Sequence, residues 1–328
     1  MTFQHFLTVL TLASSVLAAG ISSDTPIGGW VPSKSLSIAG ALLYALSAIV
    51  LWTQYFLVRP RHRFMLTLTI GMSVMTVGFL IRHTYASPPY TLGKYIAWNM
   101  FILLSPCLFL GTDYMLLSTL AATFSPDVVS RCLGMPATRV IKIFVWSDVM
   151  TFLLQNGGGG LTASRNPSLG KLGTNIALVG LILQAISFVL FTFLLLTFAY
   201  RVSKYYPHIW RPENVEPFKI FSTRPAGDWR ILVYIMSFTC VGILTRSVFR
   251  IIDYASGYNG YVATHEAFFY LLDAFALWVT MSLYCIAWPT RFLHAHGPRD
   301  VPLGTATVYS PVDSSKPLAE FSDHAVNL

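Results

Sequence analysis

Five of the 14 acidic side chains, Asp113, Asp148, Asp253, Glu266 and Asp273, stand within or at the ends of stretches that are otherwise apolar. A carboxylate in hydrocarbon is costly unless it is paired, hydrated or protonated, so residues kept there transfer protons, attract charged ligands or fasten helices together. Arg246 and Arg250 lie four residues apart, on one face of a helix. Asp148 follows the start of its apolar stretch by about nine residues, near the middle of a membrane span, with no partner evident in the sequence. Gln155 and Asn156 come two turns later, and then Gly157 to Gly160. Acid, amides and glycines on one helix suit a site for a cationic head group or an exchanging proton. The four glycines are expected to end that helix, since residues without side chains disfavour helical backbone.

The elements that must position these groups follow from composition. Among 328 residues, 54% are apolar and only 11% charged, too little polar surface to cover a water-soluble globule. About 20 mostly apolar residues cross a hydrocarbon layer of about 30 Å. That template fits seven times: Ser35 to Val58, Phe64 to Ile81, Tyr95 to Ala121, Val140 to Gln155, Asn175 to Tyr200, Ile231 to Ile252 and Glu266 to Trp288. The expected fold is all-α, a polytopic seven-helix bundle over residues 35–290. Residues 1–18 have the apolar core and small-residue end of a cleavable signal peptide. Their lack of Lys and Arg leaves an uncleaved anchor as the alternative. Residues 291–328 mix Gly, Pro, Ser and charge without periodicity and are expected to form a disordered cytoplasmic tail.

The formal charge of +8 carries topology rather than nucleic-acid binding, because no basic face or base-stacking motif accompanies it. The first, third and fifth loops and the tail hold three, three, six and three Lys or Arg residues, 15 of the 22. Basic loops stay in the cytoplasm, which places the N-terminus outside and the C-terminus inside. With spans six and seven antiparallel, a two-rung ionic ladder is expected: Arg250 with Glu266 near the outer surface, Arg246 with Asp273 roughly 10 Å deeper at about 1.5 Å per residue. Asp253 would cap the cluster. Such pairs also fix helix packing without touching a ligand, and both roles stand for the ladder. Asn99, Gln184 and Ser105-Pro106 read as helix contacts or a kink.

Phe144-Val145-Trp146-Ser147-Asp148, then Leu154-Gln155 and Gly157 to Gly160, resembles the fourth-span signature of the fungal lipid-translocating exporter family, the aminocholesterol-resistance-like membrane proteins. So does Arg246-Ser247-Val248-Phe249-Arg250 with Asp253, Gly257, Gly260, His265-Glu266, Tyr270 and Asp273. Pro106, Tyr114, Gly180 and Gln184 are lesser matches, and the likeness runs from about Leu36 to Pro289. Two departures stand out: Asp253 where the family usually has glutamate, and Trp288-Pro289-Thr290 in place of His-Pro-Gly. The resemblance implies movement of sphingoid bases and other amphiphiles across the membrane, drug and membrane-stress resistance and, in one branch, porphyrin uptake.

The expected protein is therefore a fungal plasma-membrane transporter or lipid exporter that works without hydrolysing ATP, since no phosphate-binding GxxxxGK[ST] loop occurs. Its partners would be membrane lipids and an amphiphilic small molecule. The site would comprise Asp148, Gln155, Asn156, Arg246, Arg250, Asp253, Glu266 and Asp273. No catalytic residue, metal or cofactor is expected: the histidines do not cluster as metal ligands, and the seventh span has no lysine for a retinal Schiff base. The alternatives are a seven-span receptor, a regulator of membrane lipid asymmetry, or an exporter of a secondary metabolite.

Overall fold

The computed structural model of the protein describes residues 22–23, 31–58, 61–134, 136–162, 167–210, 228–256 and 265–293. The expected signal peptide, and the expected tail beyond residue 293, lie outside them. Where no water is available, a backbone must satisfy its own polar groups, so long apolar runs become helices. In chain order these are α1 (Lys34–Leu57), α2 (Met65–Tyr85), α3 (Leu92–Ala122), the short α4 (Pro126–Leu133), α5 (Ala137–Thr162), α6 (Pro167–Tyr205), the short α7 (Pro207–Trp210), α8 (Arg230–Ser256), α9 (Glu266–Ile286) and the short α10 (Thr290–Leu293). Two dipeptides, β1 (Ser22–Ser23) and β2 (Tyr90–Thr91), pair antiparallel.

Six helices, α1, α2, α3, α6, α8 and α9, are long and apolar enough to cross a membrane. The chain is an all-α polytopic membrane protein. Helix α5 has the length, 26 residues, or about 39 Å at 1.5 Å per residue. Asp148, Gln155, Asn156 and four glycines dilute its hydropathy. The surface is inverted relative to a water-soluble protein. Leu42, Leu46 and Ile49 of α1 and Val189, Leu190 and Phe193 of α6 face outward, while Asp113, Asp148, Arg246, Arg250 and Asp273 are buried. The helices extend a few residues past most expected spans, because hydropathy marks only the hydrocarbon layer and helices continue into the head groups.

Each long helix packs on the next long helix in the chain, and α9 returns to α1, closing a ring. Polar contacts pin that last seam at four levels. Ser37 meets the Tyr270 hydroxyl at 3.2 Å, and the Tyr44 hydroxyl donates to the Ala274 carbonyl at 2.7 Å. Trp278 Nε1 donates to Ser47 at 2.9 Å, and Gln54 Nε2 to the Cys285 carbonyl at 2.5 Å. Residue numbers rise together on both sides, so α1 and α9 run parallel.

Two expectations need correction here. Helix α5 does not stop at Gly157 to Gly160 but runs through them to Thr162. Part of that run is a packing surface: a Cβ on Gly158 would sit 2.6 Å from the Gly173 carbonyl oxygen of α6, and one on Gly173 would sit 2.6 Å from that of Gly158. The two backbones touch where side chains are missing, and this close contact supplies what low helix propensity takes away. The expected tail boundary also shifts. Phe292 and Leu293 lie in α10 and are buried against the core, because both are apolar and one more turn after Pro289 brings them onto it.

Replacing Gly158 with leucine should therefore force α5 and α6 apart and destabilise the purified protein by about 1–3 kcal/mol, read as a fall in melting temperature. Gly157→Ala, at a position where a Cβ meets nothing within 4 Å, should leave that temperature unchanged or raise it.

Candidate functional site

The centre of the site is Asp273, fully buried in α9. Residues Phe269–Phe275 of α9 are wound as a π-helix, a distortion that frequently marks functional positions. Arg246 and Arg250 of α8 both form ion pairs with Asp273, the second at 2.6 Å. Close approach of the two helices allows this: a Cβ on Gly242 of α8 would lie 2.5 Å from the Thr280 hydroxyl oxygen of α9. Arg246 Nη2 also donates to the Ile102 carbonyl of α3 at 3.1 Å. That carbonyl lacks its ordinary helical donor because Pro106, four residues on, has no N–H. The proline in α3 thus creates the acceptor that anchors an arginine from α8.

The expected ladder is corrected at its outer rung. Glu266 pairs not with Arg250 but with Arg82 of α2, at 3.1 Å, and both its oxygens accept the Ser33 N–H, each at 3.0 Å, just before α1. The ladder assumed that each side chain acts at the level of its own Cα. Arginine stems are long enough for two, one turn apart, to converge on a single carboxylate. Arg82 is buried among the rings of Trp98, Phe269 and Tyr270, with its guanidinium carbon 4.8, 4.4 and 5.5 Å from their centroids. Arg250 shares Phe269 at 5.4 Å. Asp253 is half-buried in the last turns of α8, inside that helix rather than in the following loop, and lies in the electrostatic field of Arg250 and Arg82. Three arginines and three carboxylates thus form one charge-balanced belt. Arg82 and the aromatic box are what sequence reasoning missed; the available signal was a lone arginine at the end of an apolar span.

Gln155 and Asn156 lie beside this belt in a cleft bounded by α3, α5, α6 and α8. Two adjoining pockets meet at Leu103 and Gln155. One is walled by Tyr95, Asn99, Asn156 and Tyr254, the other by Pro106, Gln184, Arg246 and Arg250. Gln155 donates to Gln184 Oε1 at 2.8 Å, Gln184 donates to the Cys107 sulfur at 3.6 Å, and Asn156 donates back to the Phe152 carbonyl at 2.9 Å. Asp148 lines neither pocket. It is buried against α3, where the Tyr114 hydroxyl faces it, and neither carboxylate oxygen closes a hydrogen bond among the described residues. Asp113, next to Tyr114 in the sequence, is satisfied: Tyr284 donates to it at 2.7 Å and Thr239 at 3.1 Å, which ties α3 to α8 and α9. Among the described residues no three His, Cys, Asp or Glu side chains are grouped to hold a metal ion.

A family model described as RTA1 like protein matches residues 68–296, more than two-thirds of the chain. The chain belongs to that family. Protein RTM1 of Saccharomyces cerevisiae is 28% identical over 70% of this chain and 69% of its own length. Protoporphyrin uptake protein 1 of the same species is 29% identical over 66% and 64%, so the chain spans just under two-thirds of that relative. Sphingoid long-chain base transporter RSB1, also of Saccharomyces cerevisiae, is 24% identical over 79% and 72%. No solved structure matches. The RTA1-like region begins within α2 and contains the belt, the cleft and Asp148. Helix α1, which closes the ring and whose leading Ser33 N–H binds Glu266, precedes it.

Within this RTA1-like belt, removing a carboxylate is expected to hurt in proportion to its burial. Asp273→Asn strands two buried guanidinium groups and should cost about 3–5 kcal/mol. Glu266→Gln should cost less, since the rings still hold Arg82. Melting curves of both variants in lipid nanodiscs compare them, and equal melting temperatures would contradict the shared pairing.

Proposed function

We propose that this chain moves amphiphilic compounds across the plasma membrane without ATP hydrolysis, as a seven-span transporter with its N-terminus outside and its C-terminus in the cytoplasm. One observation carries this: a cleft walled by guanidinium, amide and hydroxyl groups lies among helices whose outer surfaces are apolar. Such a cleft accommodates a polar head while the adjoining lipid accommodates the tail. The names of two relatives, a sphingoid long-chain base transporter and a protoporphyrin uptake protein, point to the same kind of cargo. They favour a non-enzymatic role as well.

The crossing count draws support from the α1–α9 seam. Helices joined by successive reversals run parallel only when an even number of turns separates them, so parallel first and last helices suit an odd number of crossings. Helix α5 would be the seventh crossing, its polar residues turned inward against α3 and α6. The excess of Lys and Arg in alternate loops supports this orientation.

In this mechanism Gln155, Asn156, Arg246 and Arg250 contact the head group. Glu266, Asp253 and Asp273 hold the arginines and link the cleft to α1 and α2. Asp148 acts one layer behind, as a proton-exchanging acid rather than a head-group ligand, because it faces Tyr114 and not the cleft. Loading and unloading a proton there shifts the contact between α3 and α5, two of the cleft's walls.

Purified protein in liposomes, assayed side by side with fluorescent sphingoid base, phospholipid and porphyrin, should speed the crossing of at least one probe over protein-free vesicles. Asp148→Asn should slow it about tenfold, equivalent to roughly 1.4 kcal/mol, with an unchanged melting temperature. An unaltered rate in the variant removes Asp148 from the mechanism; no acceleration of any probe removes transport.

A further inference from the structure

The two pockets share a chemical bias. Neither wall includes a carboxylate, while one includes both Arg246 and Arg250. Arg246 is committed to Asp273 and to the Ile102 carbonyl. Arg250 is committed only in part: its Nε faces Asp273, but its Nη2, on a side chain 7% exposed, has no hydrogen-bond partner among the described residues. Asp253 lies in the field of Arg250 without forming an ion pair with it. A buried guanidinium N–H without an acceptor is expensive to maintain unless an acceptor arrives. Guanidinium is also the side-chain group best matched to phosphate or carboxylate oxygens.

Leu103, Leu110, Leu181 and Ile243 make the same pocket apolar beside the arginine. We propose that this pocket binds an amphiphile with an anionic head group, a phosphate monoester or carboxylate on a single alkyl chain, with the head on Arg250 Nη2 and the chain along those four residues. The inference deepens the transport reading, from which it takes only the premise that the cleft admits a ligand.

Dodecyl phosphate, added to the full chain in phosphatidylcholine nanodiscs, should raise its melting temperature by several degrees in a saturable manner. Dodecylamine and inorganic phosphate at the same concentrations should not. Arg250→Gln removes the anion partner but leaves Asp273 paired with Arg246, and it should weaken half-saturation at least about tenfold. Ser247→Phe, at a pocket-wall position that carries no charge, should do the same and keeps the test decisive if Arg250→Gln fails to fold. Equal stabilisation by dodecylamine, or half-saturation unchanged in the variants, overturns the proposal. Saturation by inorganic phosphate at the alkyl ester's concentration overturns the amphiphile assignment. Binding with no movement in liposomes would sink the transport reading alone.

Discussion

Two arginines from α8 meet one carboxylate from α9 at a depth where neither charge could stand by itself, and the surrounding architecture follows from that need. Each unpaired ion in a low-dielectric interior costs several kcal/mol, so Arg246 and Arg250 require Asp273 within contact distance and a wall of protein between them and the lipid. The bare flank of Gly242 lets the helices approach. Pro106 frees a carbonyl on α3 for the guanidinium edge that Asp273 does not engage. A second pair, Glu266 with Arg82, extends the belt to α2 and, through Ser33, to α1. Charge compensation thus acts as a set of distance restraints linking five helices, while apolar packing fills the space between them.

Much of the fold was legible because membrane helices announce themselves by composition alone. The apolar stretches of α1, α2 and α3 needed only a length criterion, and the inward direction of Asp148, Arg246, Arg250 and Asp273 followed from the cost of any other placement. The pairings were less legible. Sequence spacing fixes where a Cα sits along a helix axis but not how far a six-atom side chain leans, so Arg250 was matched to Glu266 rather than Asp273. Arg82 escaped notice because its partner lies more than 180 residues away, and because rings from two other helices, Trp98, Phe269 and Tyr270, make up much of its environment. The π segment had no signature at all: it is a property of how α9 accommodates one residue too many for a regular turn.

The glycine run shows the opposite failure. Low helix propensity was a sound local argument, and contact between α5 and α6 overrode it, because Gly158 and Gly173 pack backbone on backbone. Propensity measured in water says little where a neighbouring helix takes the place of solvent. Gln155 and Asn156 line the cleft, yet both spend a donor on protein partners, Gln184 and the Phe152 carbonyl. A ligand there would add to an existing amide network.

The seam between α1 and α9 also constrains how the molecule is made. The first and last long helices are separated by most of the polypeptide, so the ring cannot close until the ribosome has delivered residues beyond Glu266. Arg246 and Arg250 emerge before the aspartate that neutralises them, and on their own they penalise insertion of α8 by a few kcal/mol each. Synthesis order therefore favours entry of α8 and α9 as a hairpin.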